Sequence, residues 1–229
     1  MCIIIAKERG KEYNKKELES AIEVAKIHNS DGAGFAFKRG NSDSIYLSKG
    51  YLFYYGLMLN ELDKLDIQPE DELIVHLRYA TAGDVDAANC HPFVVSDNED
   101  MIKQDEIEVN LPVMAHNGTF YEYSYTNDIN SDTVNFIKDF ASGEGVLDGL
   151  ASMWKSDPFM GRKLLDSNRI CVIFPGDKPM FKMGDWNRKT TEDNCFIYSN
   201  YYHIYPDSTR AYGNNSPHNV SKKYSQYGY

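Results

Sequence analysis

The chain has 229 residues, of which 42% are hydrophobic and 25% are charged, and this is the usage of an ordinary globular protein. Its formal net charge of -10 argues against a surface that binds nucleic acid or an anionic membrane. Four widely spaced cysteines, with no apolar run of roughly 18 residues and no signal peptide, predict a reducing, cytoplasmic setting without a disulfide framework or a membrane span.

The N-terminal segment begins Met1-Cys2 and continues with three isoleucines, which predicts a buried strand over 2–6. Removal of Met1, which is expected before a residue as small as cysteine, leaves Cys2 with both a thiol and a free α-amine. Such an amine has an unperturbed pKa of about 7.7–8.0, so it can act as a base near neutral pH. Cys2 then combines a nucleophile with its own base, as N-terminal nucleophile enzymes do. The alternative is that Cys2 is only a small buried hydrophobe.

The later segments predict helices and strands that come in groups. Apolar residues at helical spacing predict four helices, and Asn14 followed by Glu17 indicates where the first one begins. Paired helices between groups of about eight strands favour a layered α+β fold over a doubly wound parallel sheet. The predicted helices lie at 15–28, 52–62, 134–140 and 147–154, and the predicted strands at 2–6, 33–37, 45–48, 73–79, 112–116, 169–174, 180–183 and 195–198.

Two stretches lack such periodicity. Residues 96–110 are polar and acidic, which predicts a loop or a hairpin extension. From about Pro206 onward the composition is dominated by Ser, Asn, Tyr, Gly and Lys, so 206–229 is predicted to be a disordered or loosely attached tail. We therefore expect one domain over 2–205.

Arg78 lies at the end of an apolar strand, where a buried guanidinium requires an anionic partner. Arginine suits a planar, bidentate contact with a carboxylate, which is either a ligand or a structural ion-pair partner. In an earlier segment, 31–34, Gly34 interrupts a predicted strand, which indicates that another part of the protein packs closely on the backbone there.

Two further segments carry candidate ligand-binding groups. A predicted strand stops at Asn117-Gly118, where a side-chain amide and a backbone N–H at adjacent positions can point at one oxygen, as an oxyanion hole requires. The alternative is an ordinary Asn-Gly hairpin turn. Asp132 stands at the start of a predicted helix, where it either caps the helix or binds a substrate ammonium.

Cysteine and histidine side chains offer a metal site as a competing use of the same region. No pair among His76, Cys90, His91 and His116 has the tight spacing of a structural zinc site. We therefore expect no metal, and no phosphate-cradling glycine loop indicates a nucleotide cofactor.

Taken together and in this order, the short motifs of the chain resemble those of the class II glutamine amidotransferases, a family of N-terminal nucleophile hydrolases. The motif that contains His91-Pro92-Phe93 is similar to the one in the stand-alone branch of that family. The resemblance is clear to about residue 140 and rests on strand pattern alone to about 205. The matching motifs are Met1-Cys2, Asp31-Gly32-Ala33-Gly34, Arg78-Tyr79-Ala80-Thr81, Cys90-His91-Pro92-Phe93, His116-Asn117-Gly118 and Ser131-Asp132-Thr133.

The resemblance implies a four-layer αββα sandwich, the N-terminal nucleophile hydrolase fold, with the nucleophile on the first strand of a central sheet. It implies that Cys2 is the nucleophile and that its α-amine is the general base. The side chain of Asn117 and the backbone N–H of Gly118 would form the oxyanion hole. One position departs from the family, because Ile3 stands where glycine is usual and narrows the space beside Cys2.

The same resemblance implies how glutamine is held. Arg78, with Thr81 nearby, would bind the substrate α-carboxylate, and Asp132 would bind the α-ammonium. A site with two such charges strongly disfavours ligands that lack the amino-acid head group. The implied reaction hydrolyses the δ-amide of glutamine through a γ-glutamyl thioester, and it requires no cofactor.

Three functions remain open from the sequence. The first is a glutaminase that supplies ammonia to a separate acceptor or synthetase protein, since the remaining segments contain no acceptor domain. The second is a free-standing amidohydrolase that acts on a γ-glutamyl compound through the same residues. The third is a catalytically idle scaffold that binds a partner through the tyrosine-rich tail.

Overall fold

The computed structural model describes residues 1–156, 168–188 and 195–201. These residues form a mixed α+β fold with two antiparallel sheets, as the layered α+β prediction requires. The strands are β1 Ile3–Lys7, β2 Ala33–Lys38, β3 Ile45–Lys49, β4 Glu72–Leu77, β5 Phe93–Val94, β6 Glu106–Val109, β7 Val113–Asn117, β8 Arg169–Ile173, β9 Phe181–Met183, β10 Asn187–Arg188 and β11 Ile197–Tyr198.

The helices pack outside these sheets. A 3₁₀ turn at Tyr121–Tyr123 and a π-helical turn at Ile137–Ala141 accompany the α-helices. The α-helices are α1 Lys15–Ala25, α2 Tyr55–Lys64, α3 Glu99–Ile102, α4 Asp132–Phe136 and α5 Val146–Ser156.

The larger sheet has seven strands in the order β10-β11-β1-β4-β2-β3-β6. The first strand of the chain therefore lies inside this sheet, with β4 on one side and β11 on the other. Every residue of β1 is buried, which explains its continuous run of apolar residues. The smaller sheet has four strands in the order β5-β7-β8-β9.

Alternation along the strands divides the apolar side chains into three clusters. Ile3 and Ile5 of β1 point toward a cluster that includes α1 and α2, whereas Ile4 points toward the other sheet. In the cluster between the sheets, Ile4 packs with residues such as Ala115 and Cys171 of the smaller sheet. The far side of the smaller sheet forms the third cluster, with α4, the π-helical turn and α5.

The structure corrects where several of the predicted helices and strands begin and end. The segment 96–110 contains helix α3 and strand β6, and the predicted helix over 134–140 is divided into α4 and the π-helical turn. Helix α1 begins after Asn14, whose side chain accepts the Glu17 N–H at 3.0 Å as predicted, but it ends at Ala25. The predicted tail over 206–229 lies outside the described residues.

Candidate active site

A small cavity lies where β1, β4, β7 and α4 end or begin. Five of the six site residues predicted from the sequence line it, namely Cys2, Arg78, Thr81, Gly118 and Asp132. The sixth, Asn117, is the last residue of β7 and is buried next to Gly118. The volume is about 10 Å³, which is room for about one water molecule.

Cys2 directly precedes β1, and its thiol is held at the end of β4. The Tyr79 N–H donates to Cys2 Sγ at 3.3 Å, and the thiol lies 3.5 Å from the carbonyl oxygen of Tyr79. Burial raises the pKa of this thiol, while the Tyr79 hydrogen bond and the positive charge of Arg78 act in the opposite direction. The Asn200 side chain fixes the backbone here by donating to the Cys2 carbonyl at 2.5 Å.

Met1 precedes the thiol, and its backbone is anchored as well. The Asn29 side chain donates to the Met1 carbonyl at 2.7 Å. Burial lowers the pKa of the Met1 α-amine below its usual value of 8.0, although the nearby Asp31 raises it. Surroundings that desolvate an amine in this way favour its neutral form, which is the form that can accept a proton.

Asn117 and Gly118 lie at the end of β7. Asn117 donates from Nδ2 to the Ser199 hydroxyl at 2.8 Å, so this donor is already engaged. The backbone of Gly118 has a φ of +151°, and a Cβ on this residue would collide with the Asn168 side chain. Glycine is therefore required at 118 for both conformation and space.

The Arg78 guanidinium is buried, and its partners are backbone carbonyls. It donates from Nη1 to the Asp84 carbonyl at 2.6 Å and from Nη2 to the Ala82 carbonyl at 2.9 Å. The structural role considered from the sequence was an ion pair with a carboxylate, but these donors hold the loop that follows β4. Gly83, at the centre of this loop, has a φ of +73° and packs against the backbone of Ser131.

Asp132 begins helix α4 without capping it. The cap is the Ser131 hydroxyl, which accepts the Val134 N–H at 3.3 Å. The Asp132 carboxylate instead accepts the Phe120 N–H at 2.6 Å and lies in the wall of the cavity. Capping by Asp132 is the sequence-based alternative to ligand binding, and the structure assigns the cap to the preceding residue.

Three buried histidines, His76, His91 and His116, form a cluster beside the cavity, and two of them, His91 and His116, line it with Cys2. The rings of His76 and His91 stack with centroids 4.2 Å apart. His91 Nε2 and His116 Nδ1 lie 3.1 and 2.9 Å from the Thr133 hydroxyl. Burial lowers the pKa of all three, that of His76 to about 3, so they are neutral at pH 7.

The histidines come from β4, from the segment before β5 and from β7. Their proximity depends on how two sheets pack, so no local sequence pattern could have grouped them. In the described parts of the chain, no set of three or more His, Cys, Asp or Glu side chains is arranged to hold a metal ion. The helices described there also lack the length and apolarity needed to cross a bilayer.

No family model matches this chain. A search of curated proteins also returns no match.

Proposed function

We propose that this protein is an N-terminal cysteine amidohydrolase of the class II glutamine amidotransferase type, which hydrolyses the δ-amide of glutamine. The observation that carries the proposal is the cavity, because it gathers Cys2, Arg78, Thr81, Gly118 and Asp132 from segments far apart in the chain. A thiol, a cation and a carboxylate around one void match a substrate with an amide tail and a zwitterionic head.

The arrangement of the apolar clusters supports the finer fold assignment, the four-layer αββα sandwich of the N-terminal nucleophile hydrolases. One cluster lies between helices and the seven-stranded sheet, the second between the sheets, and the third between the smaller sheet and helices. The resemblance implies a nucleophile on the first strand of a central sheet, and Cys2 directly precedes β1, which lies inside the seven-stranded sheet.

The proposed reaction begins after Met1 has been removed. The Cys2 thiol gives its proton to the α-amine, and the sulfur forms a bond to the δ-carbon of glutamine. The resulting tetrahedral oxyanion is stabilised by the Asn117 amide and the Gly118 N–H. Its collapse breaks the C–N bond, and the ammonium form of the α-amine protonates the leaving ammonia. Water then attacks the thioester, which releases glutamate and restores the thiol.

The head group of glutamine is proposed to bind on the opposite wall. The Asp132 carboxylate accepts from the α-ammonium, and Arg78 donates to the α-carboxylate beside Thr81. The guanidinium now donates to the Ala82 and Asp84 carbonyls, so glutamine binding replaces these two contacts with stronger ones to a carboxylate. The loop then moves, and this movement provides the room that a cavity of about 10 Å³ lacks.

Purified protein incubated with glutamine provides the test. Intact-mass measurement first establishes that Met1 is absent, and we then expect equal amounts of glutamate and ammonia to appear. Cys2→Ala should abolish both products, because none of the other three cysteines is among the residues that line the cavity.

Cys171→Ala is the matched control, since Cys171 is also buried but lies between the sheets, and this variant should remain active. Full ammonia release by Cys2→Ala would refute the proposal. A wild-type protein that releases amine from γ-glutamyl peptides but no ammonia from glutamine would instead favour the free-standing amidohydrolase. We retain a separate acceptor protein for the ammonia as part of the proposal.

A further inference from the structure

Ser199 joins the first strand of the chain to the proposed oxyanion hole through a single oxygen atom. Its N–H donates to the Ile4 carbonyl at 3.0 Å, which extends the ladder between β1 and β11 by one residue. Its hydroxyl oxygen accepts the Ile4 N–H at 2.8 Å and the Asn117 Nδ2–H at 2.8 Å. Ser199 is 1% exposed, so solvent does not compete for these contacts.

The amide of Asn117 is only half satisfied in this arrangement. Its Oδ1 is buried and has no hydrogen-bond partner, whereas Nδ2 is engaged with Ser199. A buried amide oxygen without a donor is unfavourable, and most such groups in proteins are paired. The proposed chemistry needs the opposite arrangement, in which Nδ2 is free to donate.

A rotation of the amide by 180° about its last torsion exchanges these two atoms. Oδ1 then faces Ser199, and the hydroxyl can donate to it while still accepting the Ile4 N–H, because a serine hydroxyl has one donor and two acceptor sites. Nδ2 is thereby released, and both Oδ1 and the hydroxyl proton gain a partner. Only a side chain that can both donate and accept a hydrogen bond can contact the Asn117 amide in both of its orientations.

We propose that Ser199 is a positioning residue that turns the Asn117 amide so that Nδ2 donates to the oxyanion. The inference rests on the proposed function, because the oxyanion exists only if Cys2 attacks an amide. Ser199 itself touches neither substrate nor sulfur in this proposal, and it acts through Asn117. The Ser199 hydroxyl also accepts the N–H of Ile4, which lies two residues after Cys2. One hydroxyl therefore positions both strand β1 and the Asn117 amide.

Ser199→Ala removes the hydroxyl that selects the orientation. We expect kcat for glutamine hydrolysis to fall by about 10- to 100-fold, somewhat less than the loss of a whole oxyanion donor. KM should stay within about two-fold, since Arg78 and Asp132 hold the head group in the ground state. Ser199→Thr keeps a hydroxyl and should restore most of the rate.

Alkylation of Cys2 by iodoacetamide separates positioning from a general structural role. This displacement forms no oxyanion, so Ser199→Ala should alkylate at the wild-type rate while its amidase activity is reduced. A variant that lost both rates in the same proportion would show only a displaced β1 and would overturn the proposal. Unchanged kcat in Ser199→Ala would overturn it as well.

A double-mutant cycle tests that Ser199 acts through Asn117. Asn117→Ala removes the donor, so adding Ser199→Ala to it should reduce kcat no further. Independent, multiplying losses would contradict the inference. If the wild-type protein has no glutaminase activity, the proposed function and this inference are overturned together. If the wild type is active and Ser199→Ala has the same kcat, this inference alone is overturned.

Discussion

Burial determines the charge of the histidines behind the thiol. His76 is fully buried in β4, and its pKa is about 3 against a usual 6.5, because an imidazolium there would lose its hydration. His91 and His116 are shifted in the same direction for the same reason. The rings are therefore uncharged at neutral pH and stack closely without repelling one another, and His91 and His116 form an uncharged part of the cavity wall.

These pKa values make the stability of the fold dependent on pH. Between pH 6.5 and about 3 the unfolded chain binds a proton at His76 that the folded protein does not. The free energy of unfolding is therefore fully retained above pH 6.5 and decreases as the pH falls, by up to about 1.4 kcal/mol per pH unit for each such histidine. We expect denaturation with urea at pH 7, 6 and 5 to show this decline.

His76→Gln should flatten that decline, because a glutamine does not titrate. His28→Gln is the control, since His28 lies partly exposed after α1 and outside the cluster, and it should leave the slope as in the wild type. A slope that His76→Gln left unchanged would show that other groups cause the acid sensitivity.

Single residues also show where sequence reasoning reached its limit at the site. Cys2, Arg78, Thr81, Gly118 and Asp132 were predicted by motif, and all of them line one cavity. The contacts of the Arg78 guanidinium with two carbonyls of the following loop could not be predicted, because they depend on the path of a loop without periodicity. Ser199 was also missed, since nothing in a lone serine after a short strand indicates that it contacts residues far away in sequence.

At the scale of elements, the predictions were most accurate where both faces of a strand are buried. The predicted strands 33–37 and 45–48 differ from β2 and β3 by one residue each, because their apolar residues fill the clusters on both sides of the sheet. Strand β6, by contrast, reads Glu-Ile-Glu-Val and is mostly exposed at the edge of the sheet, so its composition resembled a loop.

The close approach predicted at Gly34 is present in β2. A Cβ there would lie 2.5 Å from the His91 carbonyl oxygen and 2.5 Å from the Lys49 Cβ. Gly34→Ala should therefore lower the free energy of unfolding by about 1–3 kcal/mol through overpacking, as measured by urea denaturation.

Gly56 in helix α2 is the matched control, because a Cβ there would meet nothing within 4 Å. Gly56→Ala should raise the free energy of unfolding by about 0.5–1 kcal/mol, since alanine is the better helix former. Similar effects of the two substitutions would contradict the packing described at Gly34.

At the scale of the whole molecule, a buried ion pair connects the two sheets. Lys38 and Glu72 face each other in the register of β2 and β4, and Lys38 Nζ lies 2.8 Å from Glu72 Oε2. Lys38 also donates to the Phe174 and Gly176 carbonyls at 2.8 and 3.0 Å, in the segment after β8. One ammonium therefore satisfies groups from both sheets, which is the condition under which a buried charge is tolerated.

Lys38→Met should lower the free energy of unfolding by about 3–5 kcal/mol, because it leaves the Glu72 carboxylate buried without its cation. Adding Glu72→Gln should recover part of the loss, and urea denaturation of the single and double variants measures the recovery. Lys64→Met removes an exposed ion pair with Glu61 and should have only a small effect. A double variant with no recovery would contradict the pairing.

The hydrogen bond between Ile4 and Ser199 spans 195 residues of sequence. Of the strands that the structure describes, β1 is translated first, yet one of its two neighbours, β11, is translated last. Before β11 pairs with β1, one edge of β1 has no neighbouring strand, and the Asn117 amide lacks its contact with the Ser199 hydroxyl. The proposed catalytic site is therefore completed only after β11 has joined β1, although its sulfur belongs to the residue that precedes β1.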